Sequence, residues 1–227
     1  MNDHCRQQPH LISWYRRFLE DGKSATFVHV VASRYTLSTL QRLTTSADHE
    51  LRRATVLALG MLAGGESIPA VGRCLSDNDR CVRLVAEVAF SDLTRREMGG
   101  DAGHALDQAK RHIGGERHET ALRLLNELLE IWPKFGEAWY QRGIVDYCLG
   151  EYKLAINCAR QVVRCNPFHF GASTMRGRCC LELDQPLVAL RHFRHSFAIN
   201  PSQVVVRGYI DVLTRQQQRL NLDDSAP

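Results

Sequence analysis

Three prolines, Pro133, Pro167 and Pro201, stand at equal intervals along the chain. Ala121, Ala155 and Ala189 keep the same interval. A chain that repeats its chemistry at a fixed period of about 34 residues repeats one supersecondary unit, and that length suits two helices and a turn. A single hairpin of this kind cannot bury its own apolar face, so it must stack on its neighbours. The best-filled copy runs from Gly136 to His169, GEAWYQRGIVDYCLGEYKLAINCARQVVRCNPFH. Gly150 breaks the chain between its helices. Pro167 follows the second helix, where a missing N–H costs nothing to a helix that has ended. Gly143 and Ala155 are expected where the two helices cross, because a larger side chain would hold the backbones apart.

Trp139, Gly143, Gly150, Tyr152, Ala155 and Pro167 together resemble the tetratricopeptide repeat (TPR) family. A first copy spans Ala102 to Phe135 and is irregular in its first helix, with Ala105 and His112 where the family carries Trp and Tyr. A third runs from Phe170 to Gln203 and keeps Gly177, Ala189, Phe193, Ser196 and Pro201. Pro186 suits the first position of a helix, with a polar cap before it. The resemblance implies a right-handed, all-α solenoid in which the first helix of each repeat lines a concave groove. Carried over position by position, the groove residues are Glu137, Tyr140, Ile144, Tyr147 and Cys148 in the second repeat, and Gly171, Thr174, Arg178, Leu181 and Glu182 in the third. The first repeat would add Gly103, Leu106, Lys110, Ile113 and Gly114. Tyrosine and arginine dominate binding hot spots. Tyr140 and Tyr147, two turns apart, are expected to form an aromatic floor with Arg178 beside it. One TPR subclass clamps the terminal carboxylate of chaperone tails; here Leu106, Lys110 and Met175 replace its Lys, Asn and Arg, so that clamp is absent.

The N-terminal half repeats differently, with a period of 31: Asp48 returns as Asp79, Arg52 as Arg83, Ala58 as Ala89 and Leu62 as Leu93. The segments LRRATVLALGML and VRLVAEVAFSDL read as inner helices and resemble short HEAT repeats of the PBS-lyase-like type. That resemblance implies a ladder of Asp77 and Arg83 between repeats, with Ser46 in place of the Asp in the first. Before it, helices are expected at His10–Leu19 and Ala25–Ser33, with Leu11, Trp14, Tyr15 and Leu19 on one capping face. After the third TPR-like copy, Val204–Leu220 is expected to cap the array through Val205, Tyr209, Val212 and Leu213. The domains expected are 1–97, with the cap and two HEAT-like repeats, and 98–220, with three TPRs and a capping helix. A disordered tail would follow at 221–227. MGGDAG marks the junction.

Composition narrows function mainly by exclusion. Net charge is +4 and no basic stripe stands out, so nucleic acid is not an expected partner. Arg52, Arg53 and Arg83 fit ion pairs better than phosphate contacts. The eight cysteines form no C-x-x-C pair, and the chain is neither short nor loop-rich, as a disulfide framework would be. No run approaches the ~20 apolar residues of a membrane span, and the charged N-terminus does not read as a signal peptide. A cytoplasmic location is expected. Cys158 and Cys165 lie about two turns, or ~10 Å, apart, too far for one zinc, and His192/His195 lack further ligands. No catalytic motif, cofactor or metal site is expected. The reading is a non-enzymatic scaffold binding a protein or peptide, its oligomeric state open. The alternative is a lyase, or a lyase-associated protein, acting on a chromophore protein through the HEAT-like repeats.

Overall fold

A computed structural model describes residues 10–223. Cys5 and the final four residues of the expected tail lie outside that range. Among the described residues every regular element is helical. The chain divides into two compact units between Leu93 and Thr94.

The first unit holds α1 (His10–Asp21), α2 (Ser24–Arg34), α3 (Leu37–Leu43), α4 (His49–Leu62), a short 3₁₀ turn, α5 (Ile68–Cys74) and most of α6 (Arg80–Arg96). Its shorter repeat is visible atom by atom. Asp48 Oδ1 accepts from the Glu50 and Leu51 amides at the start of α4, and Asp79 Oδ1 accepts from Val82 at the start of α6. Arg52 Nη1 donates to the carbonyls of Ser46 (2.8 Å) and Ala47 (3.1 Å). One period on, Arg83 Nη1 donates to those of Asp77 (2.7 Å) and Asn78 (3.1 Å). The ladder itself differs from expectation. The side chain of Asp77 pairs with Arg52 of the preceding hairpin at 2.7 and 2.8 Å, while Arg83 meets Asp77 at its backbone carbonyl. Arg53 grips Asp79 in the same bidentate way. Gly60 is dictated by packing, since a Cβ there would lie 2.7 Å from that of Ala89. Leu19 does not join the cap face and is 62% exposed. Its place is taken by Phe18, whose ring packs 5.4 Å from that of Phe27 on α2.

The second unit continues with α7 (Gly100–Gly114), α8 (His118–Ile131), α9 (Gly136–Cys148), α10 (Tyr152–Cys165), α11 (Phe170–Glu182), α12 (Pro186–Ile199) and α13 (Val204–Asp223). It is a helical-repeat solenoid of three stacked hairpins and a closing helix. The starts of α8, α10 and α12 recur at the interval of the prolines, as do those of α9, α11 and α13. Glu116, Gly150 and Asp184, at the turn of each hairpin, all take positive φ (57°, 79° and 54°). Glycine has no penalty there, and aspartate tolerates it better than most residues. Asn166 and Asn200 close the next turn identically, each accepting from the amide two residues on.

The crossings follow from side-chain size. A Cβ on Gly143 would sit 2.8 Å from Met175 Sδ and 3.1 Å from Cys158 Cβ, so Cys158 rather than Ala155 faces this glycine across the hairpin. Gly177 plays the same part against the Phe193 ring. Pro186 opens α12 without a side-chain cap from Gln185. Two of the four residues expected on the inner face of the closing helix, Tyr209 and Leu213, pack there, and Val206 takes the place of Val205 and Val212. Val206 and Leu213 are buried and Tyr209 stacks on Phe193 (4.7 Å, 4°), whereas Val205 and Val212 are 72% and 48% exposed. Residues 221–223 extend it as helix.

Candidate functional site

The first helices of the three hairpins, α7, α9 and α11, approach one another more closely than the second helices do. They therefore form the inner side of the stack, and the carried-over residues lie on them. The structure sorts these residues into two groups.

The deeper group surrounds Glu137 near the start of α9. Its carboxylate accepts from Gln141 Nε2 (2.8 Å) and lies 3.1 Å from Lys110 Nζ and 3.4 Å from His169 Nε2. His169 precedes α11, and its Nδ1 accepts the Ala172 amide at 3.1 Å. In the neutral ring that bond leaves the proton on Nε2, pointing at Glu137. Burial opposes ionisation of Glu137, but the bond and charge of His169, with Lys110, outweigh it and hold the carboxyl at about 2. The Tyr140 ring lies 4.5 Å from that of His169, inclined at 52°, and its hydroxyl comes so near Gly171 that a Cβ there would be 2.9 Å away. Burial, then the Glu137 charge, push its phenol up. Glu97 stands close by. Burial and the charge of Glu137 raise its carboxyl to about 7, and Oε2 is buried without a hydrogen-bond partner.

The outer group meets solvent. The guanidinium of Arg178 lies 4.5 Å over the Tyr147 ring, and the Tyr147 hydroxyl donates to Glu182 Oε1 at 2.9 Å. Tyr152 of α10 supports Tyr147 from the side, ring to ring at 5.4 Å. Burial and the Glu182 bond raise the Tyr147 phenol. Arg178, Glu182 and Cys148 are exposed. The tyrosine face, a cation and a carboxylate thus share one accessible patch, a combination able to hold an apolar side chain and a paired charge.

Tyr140 and Tyr147 consequently do not form a single floor; only Tyr147 lies with Arg178. Ile144 and Leu181 are half-buried against core clusters. Thr174 turns its hydroxyl inward, 2.8 Å from Ser196 Oγ and 3.1 Å from Gln203 Oε1. Leu106 is fully buried, so it is core and not groove lining. His169 and Glu97 escaped the sequence reading because neither sits at a carried-over helix position. The sole hint was His169 at the end of the Asn166-Pro167 turn, where a polar side chain can cap the next helix. Among the described residues no set of three or more His, Cys, Asp or Glu side chains is arranged to hold a metal. None of the described helices is long and apolar enough to cross a membrane.

No family model matches the chain. A TPR repeat-containing protein of Rhizobium etli is 21% identical over 111 residues, which is 49% of this chain and 54% of that protein. The chain thus spans about half the length of that curated relative. Among solved structures, the first TPR of Spaghetti (RPAP3) bound to an HSP90 peptide superposes with a TM-score of 0.49 at 12% identity, covering 52% of this chain and 93% of that one. YrrB, described as a TPR protein with an unusual peptide-binding site, gives 0.45 at 17% identity over 86% and 96%. At these scores neither structure fixes a family.

Proposed function

We propose that this protein is a non-enzymatic scaffold that binds a protein or peptide segment on the inner face of its second unit, in three TPR-type hairpins preceded by two HEAT-like ones. The observation that carries the proposal is the exposed grouping of Tyr147, Arg178 and Glu182. An aromatic face with an adjacent cation and carboxylate suits a segment of mixed charge, with an acidic side chain for Arg178 and an apolar one for Tyr147. Glu137 and His169 pair with each other and the Tyr140 ring packs on His169, so these deeper residues set the shape of the floor more than its chemistry. Arg52 and Arg53 are held by Asp77 and Asp79, which argues against their use on phosphates.

Affinity capture with mass spectrometry tests the proposal. The wild-type chain should retain specific proteins that the double variant Tyr147→Ala/Arg178→Ala retains several-fold to a hundredfold more weakly, since hot-spot truncations cost about 2 kcal/mol or more. Equal retention by a folded double variant would refute the assignment of this patch.

A further inference from the structure

The last hairpin and the closing helix carry a second surface. A cavity of about 660 Å³ lies between the start of α12 and the later turns of α13, and Pro186, Leu187, Val188, Leu213, Gln217 and Arg219 line it. Its place in the repeat explains it. Helix α13 begins one repeat after α11 and so stands where the first helix of a further hairpin would stand. One repeat before Leu213 stands Cys179, which is fully buried in a cluster with Ala155 and Ala159 of α10.

The sequence is altered at this end in a telling way. The second residue of α8 is Glu119, that of α10 is Lys153, and that of α12 is Leu187. All three are exposed. A position that carries charge in two hairpins thus carries leucine, 54% exposed, in the last. Val212, next to Leu213 on α13, is 48% exposed as well.

We propose that this groove is a self-association surface, which receives the same groove of a second copy of the chain in a two-fold dimer. Charge and hydrogen-bonding pattern select that occupant. The rim carries one acid, Asp184, and one base, Arg219, and the polar lining is otherwise the amides of Gln185, Gln216 and Gln217. With one acid and one base on each rim, Asp184 of one copy can pair with Arg219 of the other, and side-chain amides, which both donate and accept, can pair with their own kind. An isologous interface requires such self-complementarity. A partner of strong single-sign charge would instead meet one like charge on the rim.

Sedimentation velocity across micromolar concentrations tests this. The full chain should dimerise reversibly. Leu187→Glu should weaken the dimer about tenfold or more while leaving unchanged the circular-dichroism melt taken at a concentration where both chains are monomeric, because the side chain is exposed and dimerisation adds no stability there. Arg219→Glu should weaken it less. Lys153→Glu, at the equivalent position one hairpin earlier, should leave it intact. A wild-type chain that stays monomeric throughout overturns the proposal. So does a dimer that Leu187→Glu does not weaken, or that Lys153→Glu weakens as much.

Discussion

Replacing a glycine by alanine should destabilise this protein at one helical position and stabilise it at another, and the structure gives the sign of each. A Cβ on Gly177 would lie 2.6–2.8 Å from three atoms of the Phe193 ring. That ring is fully buried and stacked on Tyr209, so it cannot swing away without unseating α13. Overpacking of this kind costs about 1–3 kcal/mol, and the better helix propensity of alanine offsets about 1 kcal/mol of it. Gly177→Ala should therefore lose up to about 2 kcal/mol. Gly208, inside α13, has nothing within 4 Å of its ideal Cβ. Gly208→Ala should gain about 0.5–1 kcal/mol from propensity alone. Urea unfolding followed by circular dichroism reads both as opposite shifts in midpoint. If Gly177→Ala stabilises, or if the two variants shift together, the close crossing of α11 and α12 is not what demands glycine at 177.

Further expectations follow from other contacts. Arg52→Ala leaves Asp77, 10% exposed at its side chain, without its bidentate partner and removes two bonds to loop carbonyls. It should cost about 2–3 kcal/mol by urea titration, somewhat below a fully buried pair. Glu97 is raised from 4.5 to about 7, so the native state keeps a proton that the unfolded chain releases. Its contribution is full below 4.5 and fades as pH rises through 7; Glu97→Gln should flatten that decline in the urea midpoint. Glu137, lowered from 4.5 to about 2, acts in the opposite sense. Its contribution is present above 4.5 and is lost as pH falls towards 2, and Glu137→Gln should make the acid limb shallower. A fragment beginning at Thr94, the start of the second unit, should melt cooperatively with strong helical circular dichroism; a disordered fragment would show that the hairpins need the first unit to fold.

The repeat periods were legible because they are written in small and turn-forming residues whose roles are local. Pro167 and Gly150 report where helices stop, and Gly143 and Gly177 report where they cross. Which face of a helix is buried was harder to read. On α13, Val205 and Val206 are equally apolar, and only the position of Phe193 and Tyr209 decides that Val206 goes inward. The same holds for the candidate site. Family spacing placed Tyr140 and Tyr147 on one helix face, but Tyr140 is claimed by His169, which comes from the turn before the next helix. Leu106 was assigned to the groove by position, yet the irregular first hairpin buries it. Both Arg52 and Arg83 hold the equivalent loop carbonyls within their own repeats, so the sequence does not show that the side chain of Asp77 takes Arg52 of the preceding repeat.

The inner face as a binding surface is tested most directly by where a captured partner touches the chain. A photo-crosslinking benzoylphenylalanine can replace Cys148, exposed at the end of α9, or Arg164, exposed on α10. Crosslinks to the same protein from position 148 and not from 164 are the predicted result. Crosslinks from 164 and not from 148 would place binding on the second helices and contradict it.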